Sequence, residues 1–242
     1  AESLPHLVAV QSESFVDVRR YIPAVRSDLL VHFDALGKQG ASGPLGVPAF
    51  GANPVRSEYA FLSGMGPAAL GDRRYNPYRY VRSGCLDRTF VHALRAAGYR
   101  TLCVHPYAGR FYGRDRVMPL LGFDQFVDIS AFPTTGGTET QSAYTSVAEL
   151  GDWVAQRLAN ADRPLFIFVI TMENHGPLHL ESPFVGESAA YLQADAGTDI
   201  DDDLVVYLRH LRNADRMLWH LSAALNEAER GGALCWYGDH PP

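Results

Sequence analysis

The sequence predicts a three-layer α/β sandwich built on a mainly parallel central sheet. Three observations predict it. Short apolar runs alternate along the chain with stretches of helical periodicity. The most apolar run, Phe166-Ile167-Phe168-Val169-Ile170, has no polar alternation and reads as a strand covered on both faces. Several of these runs stop abruptly at residues that carry chemistry, and ligands of open parallel sheets sit outside the carboxyl ends of the strands.

The elements follow in order. Residues 6–12, 99–105, 165–171 and 233–238 are the strand candidates, each short, apolar and rich in β-formers. A helix is expected to begin at Asn53, with Asn53 as N-cap and Pro54 at the first helical position. Residues 89–97 form a helix stopped by Gly98. Residues 142–158 place Val147, Leu150, Val154 and Leu158 at helical spacing. Residues 203–229 form the longest helix, with Leu204, Leu208, Leu211, Leu218, Leu221 and Leu225 along one stripe and Gly231-Gly232 closing it. Residues 131–140 and 181–203 read as surface loops; Asp199, Asp201, Asp202 and Asp203 at the end of the second read as a solvated helix start rather than a calcium site. No repeat or second-domain boundary appears, so residues 1–242 are expected to form one domain.

Composition narrows the function. The chain has 242 residues and a net charge of −6, which argues against binding nucleic acid through overall positive charge. The apolar runs are strand-sized, too short to span a bilayer. Residues 1–5 lead almost directly into the first strand without a signal-peptide pattern, which implies a cytosolic protein or one that has lost a targeting segment. Of the three cysteines, Cys103 and Cys235 read as small core residues and Cys85 as a loop residue. They form no disulfide framework or zinc-finger spacing.

The chemistry collects at strand ends. The last strand ends in a Gly238 turn that presents Asp239 and His240, and the first ends at Glu13. A carboxylate pair and an imidazole brought together at one sheet edge suit a divalent metal. His105 ends another strand, and Arg110 and Arg114 follow it as cations able to bind an oxyanion. His175 follows the strand at 165–171. The loop at 51–54 leads into a helix whose N-terminal N–H groups attract phosphate or sulfate. Residues 72–82 interleave four arginines with three tyrosines, and read as a solvated loop with its tyrosines packed beneath rather than as a grip for a sugar or polyanion.

Taken together, these segments resemble the extracytoplasmic domains of lipoteichoic acid synthases and phosphoglycerol transferases, in the sulfatase/alkaline-phosphatase superfamily. The resemblance runs from about residue 6 to the end of the chain, with every motif in the family's order. It implies that Glu13, Asp239 and His240 hold one divalent metal, manganese foremost, with magnesium or zinc as alternatives. It implies that His105, Tyr112 and Arg114 hold a phosphoglycerol head, and that His175 lies beside the transferred phosphate. It further implies a lipid- or glycan-linked substrate, a bacterial extracytoplasmic setting, and a longer parent with membrane helices, truncated here at its C-terminus.

One departure is chemical. The family's nucleophilic threonine falls where this chain has Pro54, which has no hydroxyl. Ser57, three residues on, is the nearest substitute, displaced about 4.5 Å along a helix axis. The resemblance therefore implies a metal-dependent phosphoglycerol transferase working by covalent transfer. Its alternatives are a pseudoenzyme that binds a phosphorylated glycan or lipid without turnover, and a sulfatase- or phosphodiesterase-type hydrolase.

Overall fold

The computed structural model describes residues 3–84, 88–132, 145–194 and 200–241. Cys85, residues 133–140, 142–144 and Asp199 lie outside them. Its strands are β1 (His6–Ser12), β2 (Arg100–Val104), β3 (Gln125–Val127), β4 (Leu165–Ile170) and β5 (Gly232–Gly238). They form one sheet of order β3-β2-β4-β1-β5, every pair parallel. The four expected strands are present within about a residue of their sequence limits, and β3 is an addition.

The side-chain period of two sorts each strand's residues between two layers. Phe166, Phe168 and Ile170 of β4, with Ala9 and Cys103, pack under α2 (Val55–Ser63), α4 (Pro77–Arg82), α5 (Phe90–Ala96) and α6 (Arg114–Leu120). Leu165, Ile167 and Val169, with Val8, Val10, Leu102 and Val104, face α7 (Val147–Ala159) and α8 (Asp202–Glu227). A third cluster joins α8 to α1 (Val31–Gly37) and the loops after β1. The short α3 (Pro67–Leu70) completes the helices of the described residues.

Helix ends follow local chemistry. Ser146 and Glu149 form a capping box at α7, and Asp201 accepts from the Asp203 N–H at the start of α8. The described acids of the 199–203 run thus serve a helix N-terminus. Asp215, buried in α8, accepts from the N–H groups of His32 and Phe33 and so closes the start of α1. Glu173 accepts from Val147 N–H and from Asn213, tying the β4 end to α7 and α8.

Three local expectations are corrected. Asn53 does not cap α2: its φ is 65°, its side chain donates to the Tyr75 carbonyl, and Pro54 occupies the cap position at φ −58°. Cys235 is exposed, because β5 lies at the sheet edge, whereas Cys103 on interior β2 is fully buried. Residues 72–82 are a 3-10 turn followed by α4 rather than a loop, and Tyr78 within them is 1% exposed.

Candidate metal and phosphate site

Parallel pairing of β1 with β5 brings the first and last strand ends together, with Ser12 in register with Gly238. Gly238 is required there: a Cβ on it would lie 2.0 Å from the Phe15 carbonyl oxygen. The close approach turns the chain so that Asp239 and His240 meet Glu13. One ligand atom from each of Glu13, Asp239 and His240 lies within 4.8 Å of the others, and all three residues are buried. His240 Nε2 is 3.4 Å from Glu13 Oε1 and 3.7 Å from Asp239 Oδ2.

Each side chain is held by a neighbour. Asp239 Oδ1 accepts from the Ser14 and His240 N–H groups, leaving Oδ2 toward the imidazole. Ser14, at φ 46°, also donates its hydroxyl to Glu13 Oε1. Glu13 N–H donates to Thr171 Oγ1, which ties the β1 and β4 ends together. His240 Nδ1 faces the Pro241 carbonyl at 2.8 Å. A carbonyl only accepts, so Nδ1 carries the proton and Nε2 offers its lone pair to the cluster.

The electrostatics favour a cation. Burial pushes the Glu13 carboxyl up to about 7. Burial, then the Glu13 charge, pushes Asp239 up to about 8. Two oxygen donors and one nitrogen, buried and short of positive charge, fit one divalent ion.

A second layer adjoins the first. His105 and Arg114 are each 1% exposed. Arg114 donates through Nε to Glu58 Oε2 at 3.0 Å and through Nη2 to Glu58 Oε1, and Tyr78 OH donates to the same carboxylate. Arg114 Nη1 lies 3.2 Å from His105 Nε2, and His105 Nδ1 lies 3.2 Å from the Ile170 carbonyl. Burial, then the Arg114 charge, holds His105 well below the usual imidazole range. Burial alone would lower Arg114, but the Glu58 charge holds it above its ordinary value.

Over this layer stands an aromatic turn. The Arg114 guanidinium carbon is 5.3 Å from the Tyr112 ring centre and 5.7 Å from that of Phe111. Tyr112 has φ 56°, a left-handed conformation that favours glycine, and is 40% exposed. The exposed His175 ring is 6.5 Å from Phe111. The structure thus groups Tyr112 and His175 at the surface above buried Arg114 and His105, while Arg110 remains exposed.

Helix α2 joins the two layers. Ser57 Oγ donates to the Asp239 carbonyl, and the next residue, Glu58, binds Arg114. Pro54 is buried one turn before Ser57, and its carbonyl accepts from the Ser57 and Glu58 N–H groups. Sequence reasoning missed Glu58 and Tyr78. The available signal was an acid on the face of α2 that also carries Val55, Tyr59 and Leu62, all buried.

Comparisons with known proteins show the family and the fold. The sulfatase family model matches residues 5–242. The chain is 32% identical over 245 residues to the capsular polysaccharide biosynthesis protein RkpI of Rhizobium meliloti (strain 1021), covering 100% of the chain and 42% of that protein. Its fold is similar to that of the lipoteichoic acid synthase LtaP from Listeria monocytogenes, with a TM-score of 0.76 and 20% identity, covering 99% of this chain and 57% of that one. It is also similar to that of the Streptococcus pyogenes phosphoglycerol transferase GacH in complex with sn-glycerol-1-phosphate, with a TM-score of 0.66 and 19% identity, covering 98% and 62%. The chain spans less than two thirds of each of these proteins.

Proposed function

The chain belongs to the sulfatase family, and on that premise we propose that residues 1–242 form a metal-dependent phosphoglycerol-transferase-like catalytic domain. The observation that carries this reading is the buried Glu13–Asp239–His240 cluster, tied by Ser57 to the helix that begins beside Pro54. Glu13, Asp239 and His240 would hold one divalent cation, manganese foremost, since oxygen donors with one imidazole suit it as well as magnesium or zinc. When bound, the cation supplies positive charge against the phosphorus oxygens and lowers the pKa of a bound hydroxyl.

The chain's own residues do the rest. Tyr112 and His175 meet the head group at the surface of the pocket, and the Arg114–His105 layer, its guanidinium charge balanced by Glu58, supplies a fixed polar floor beneath it. His175 Nδ1 faces the Gly176 carbonyl, so Nε2 is the nitrogen left to exchange a proton with an acceptor alcohol. The substrate class is a lipid- or glycan-linked phosphodiester outside the cytoplasm of a bacterium, with membrane attachment supplied by the parent protein. Support comes from the relatives: one is a lipoteichoic acid synthase, one a phosphoglycerol transferase bound to sn-glycerol-1-phosphate, and one a capsular polysaccharide biosynthesis protein. No helix among the described residues is long and apolar enough to cross a membrane.

Pro54 favours a second reading, in which the pocket binds a phosphorylated glycan or lipid without turnover. The ring sits at the start of α2, where the family's hydroxyl is expected, and offers no nucleophile. The fold accepts proline there because that N–H has no helical partner to lose. The test is release of glycerol phosphate from a lipid or chromogenic diester with manganese present, comparing the chain as it stands with Pro54→Thr. The transferase reading expects weak or no turnover in the first, and turnover with a phospho-threonine in the second. Binding of glycerol phosphate by both, with turnover by neither, would leave the binding reading standing.

A further inference from the structure

We infer that Glu58 and Tyr78 are positioning residues, which hold Arg114 and through it His105 in the one arrangement that presents a phosphate-receiving layer beneath Tyr112 and His175. This rests on the proposed phosphate pocket for its ligand, but not for its geometry. Four polar side chains, Glu58, Tyr78, Arg114 and His105, meet at no more than 1% exposure each. A buried ion pair is seldom better for stability than an apolar pair of the same volume, so stability alone accounts poorly for this one.

The hydrogen bonds run in a fixed direction. Tyr78 OH can only donate to the Glu58 carboxylate, and the guanidinium can only donate, so Glu58 accepts a hydrogen bond from Tyr78 on one side and from two Arg114 N–H groups on the other. Arg114 Nη1 then donates to His105 Nε2, and its Phe111 carbonyl contact is 3.5 Å. His105 Nδ1 must carry the ring proton, because it faces the Ile170 carbonyl. The chain Tyr78, Glu58, Arg114, His105, Ile170 therefore fixes both the guanidinium plane and the imidazole tautomer.

The location argues for a role in the site. Glu58 follows Ser57, which reaches the Asp239 carbonyl, so consecutive residues of α2 brace the metal loop and the phosphate layer. Arg114 follows the left-handed Tyr112 turn, so the pair also fixes where that aromatic wall stands. Tyr78 belongs to the arginine- and tyrosine-rich segment 72–82. Its hydroxyl ties that segment to the pocket.

Arg114→Ala would strand a buried carboxylate and test little beyond folding. The informative variants are Glu58→Gln and Tyr78→Phe, each nearly isosteric. Nitrogen-15 NMR of the metal-free protein reports the His105 tautomer, and calorimetry with glycerol phosphate and manganese reports the pocket. The unaltered protein is expected to show the Nδ1–H tautomer. Glu58→Gln loosens the guanidinium that donates to His105 Nε2, so it is expected to move the Nε2 resonance toward that of an acceptor nitrogen with no hydrogen bond while Nδ1 keeps its proton, and to bind glycerol phosphate about 10- to 100-fold more weakly, with manganese affinity within about twofold. Tyr78→Phe, the variant that keeps the ion pair, is expected to show a smaller shift of the same Nε2 resonance. An unchanged His105 signature in both variants would overturn the positioning role. A shifted Nε2 resonance in a protein that binds no glycerol phosphate in any form would keep the positioning role and overturn the phosphate reading instead.

Discussion

The Ser57 hydroxyl donates to the main-chain carbonyl of Asp239 at 2.7 Å, with Ser57 only 3% exposed. The helix that begins beside Pro54 is thereby fastened to the loop that carries two of the three ligand candidates. Ser57→Ala is expected to cost about 1–3 kcal/mol, since a buried carbonyl loses its donor. A urea unfolding curve measures this. Any turnover by the protein should survive the change within about tenfold. Complete loss of turnover in a folded, metal-binding Ser57→Ala protein would make Ser57 the nucleophile.

Gly238 lets β5 turn tightly against Phe15. Gly238→Ala would press its methyl into the Phe15 carbonyl, 2.0 Å away, and the main chain on both sides must shift. The expected loss of stability is about 2–3 kcal/mol. Because the shift displaces Asp239 and His240, divalent-metal affinity is expected to fall with it. Calorimetric manganese titration of Gly238→Ala at a temperature where the protein remains folded checks the second effect separately.

The acid pair predicts a pH signature. Glu13 and Asp239 keep their protons to about 7 and about 8 when folded, but ionise near pH 4 in the unfolded chain. The unfolded state therefore holds fewer protons above about pH 4, and stability falls as pH rises. This contribution is fully present below about pH 4 and is lost on passing through about 7 to 8. Metal-free Glu13→Gln should show a flatter pH dependence in thermal melts than the unaltered protein.

Metal binding should carry the opposite sign. A cation displaces those protons, so manganese affinity is expected to rise between about pH 6 and 9, with proton release on binding. Titrations in two buffers of different ionisation heat would detect the released proton. Affinity independent of pH over that range would remove both acids from the coordination set.

Tyr112 is held at φ 56°, where a side chain costs about 1 kcal/mol and glycine costs nothing comparable. Tyr112→Gly relieves that strain but loosens the unfolded chain, so net stability is expected to move by no more than about 1 kcal/mol. Glycerol phosphate affinity is expected to fall, because the wall over Arg114 is gone. Tyr112→Phe keeps the ring and should retain most of the affinity in the same titration.

Strand ends were legible because an apolar, unalternating run that stops at Glu13, His105 or Asp239 leaves little doubt about where the strand leaves the core. Short elements were not. β3 is three residues at the sheet edge, Gln125-Phe126-Val127, and gives too little pattern to register. Cys235 looked internal because a run of apolar letters does not say whether both faces of its strand are covered. Glu58 was hidden for a different reason: its partner Arg114 is 56 residues away, and no local rule couples them. The tautomer of His105 likewise depends on a carbonyl from another strand.

The pairing of β1 with β5 also has a kinetic meaning. Ser14 and Asp239, which share a hydrogen bond, are 225 residues apart. Closing a flexible loop of that length costs about 5 kcal/mol before any constant term, and contacts so remote in sequence slow folding. The ligand cluster can assemble only after β5 has left the ribosome and docked beside β1. A chain in mid-synthesis, with β1, β2 and β4 already paired, would hold Glu13 but neither Asp239 nor His240. Capture of the ion thus waits on β5, and manganese-dependent protection against proteolysis would time its arrival.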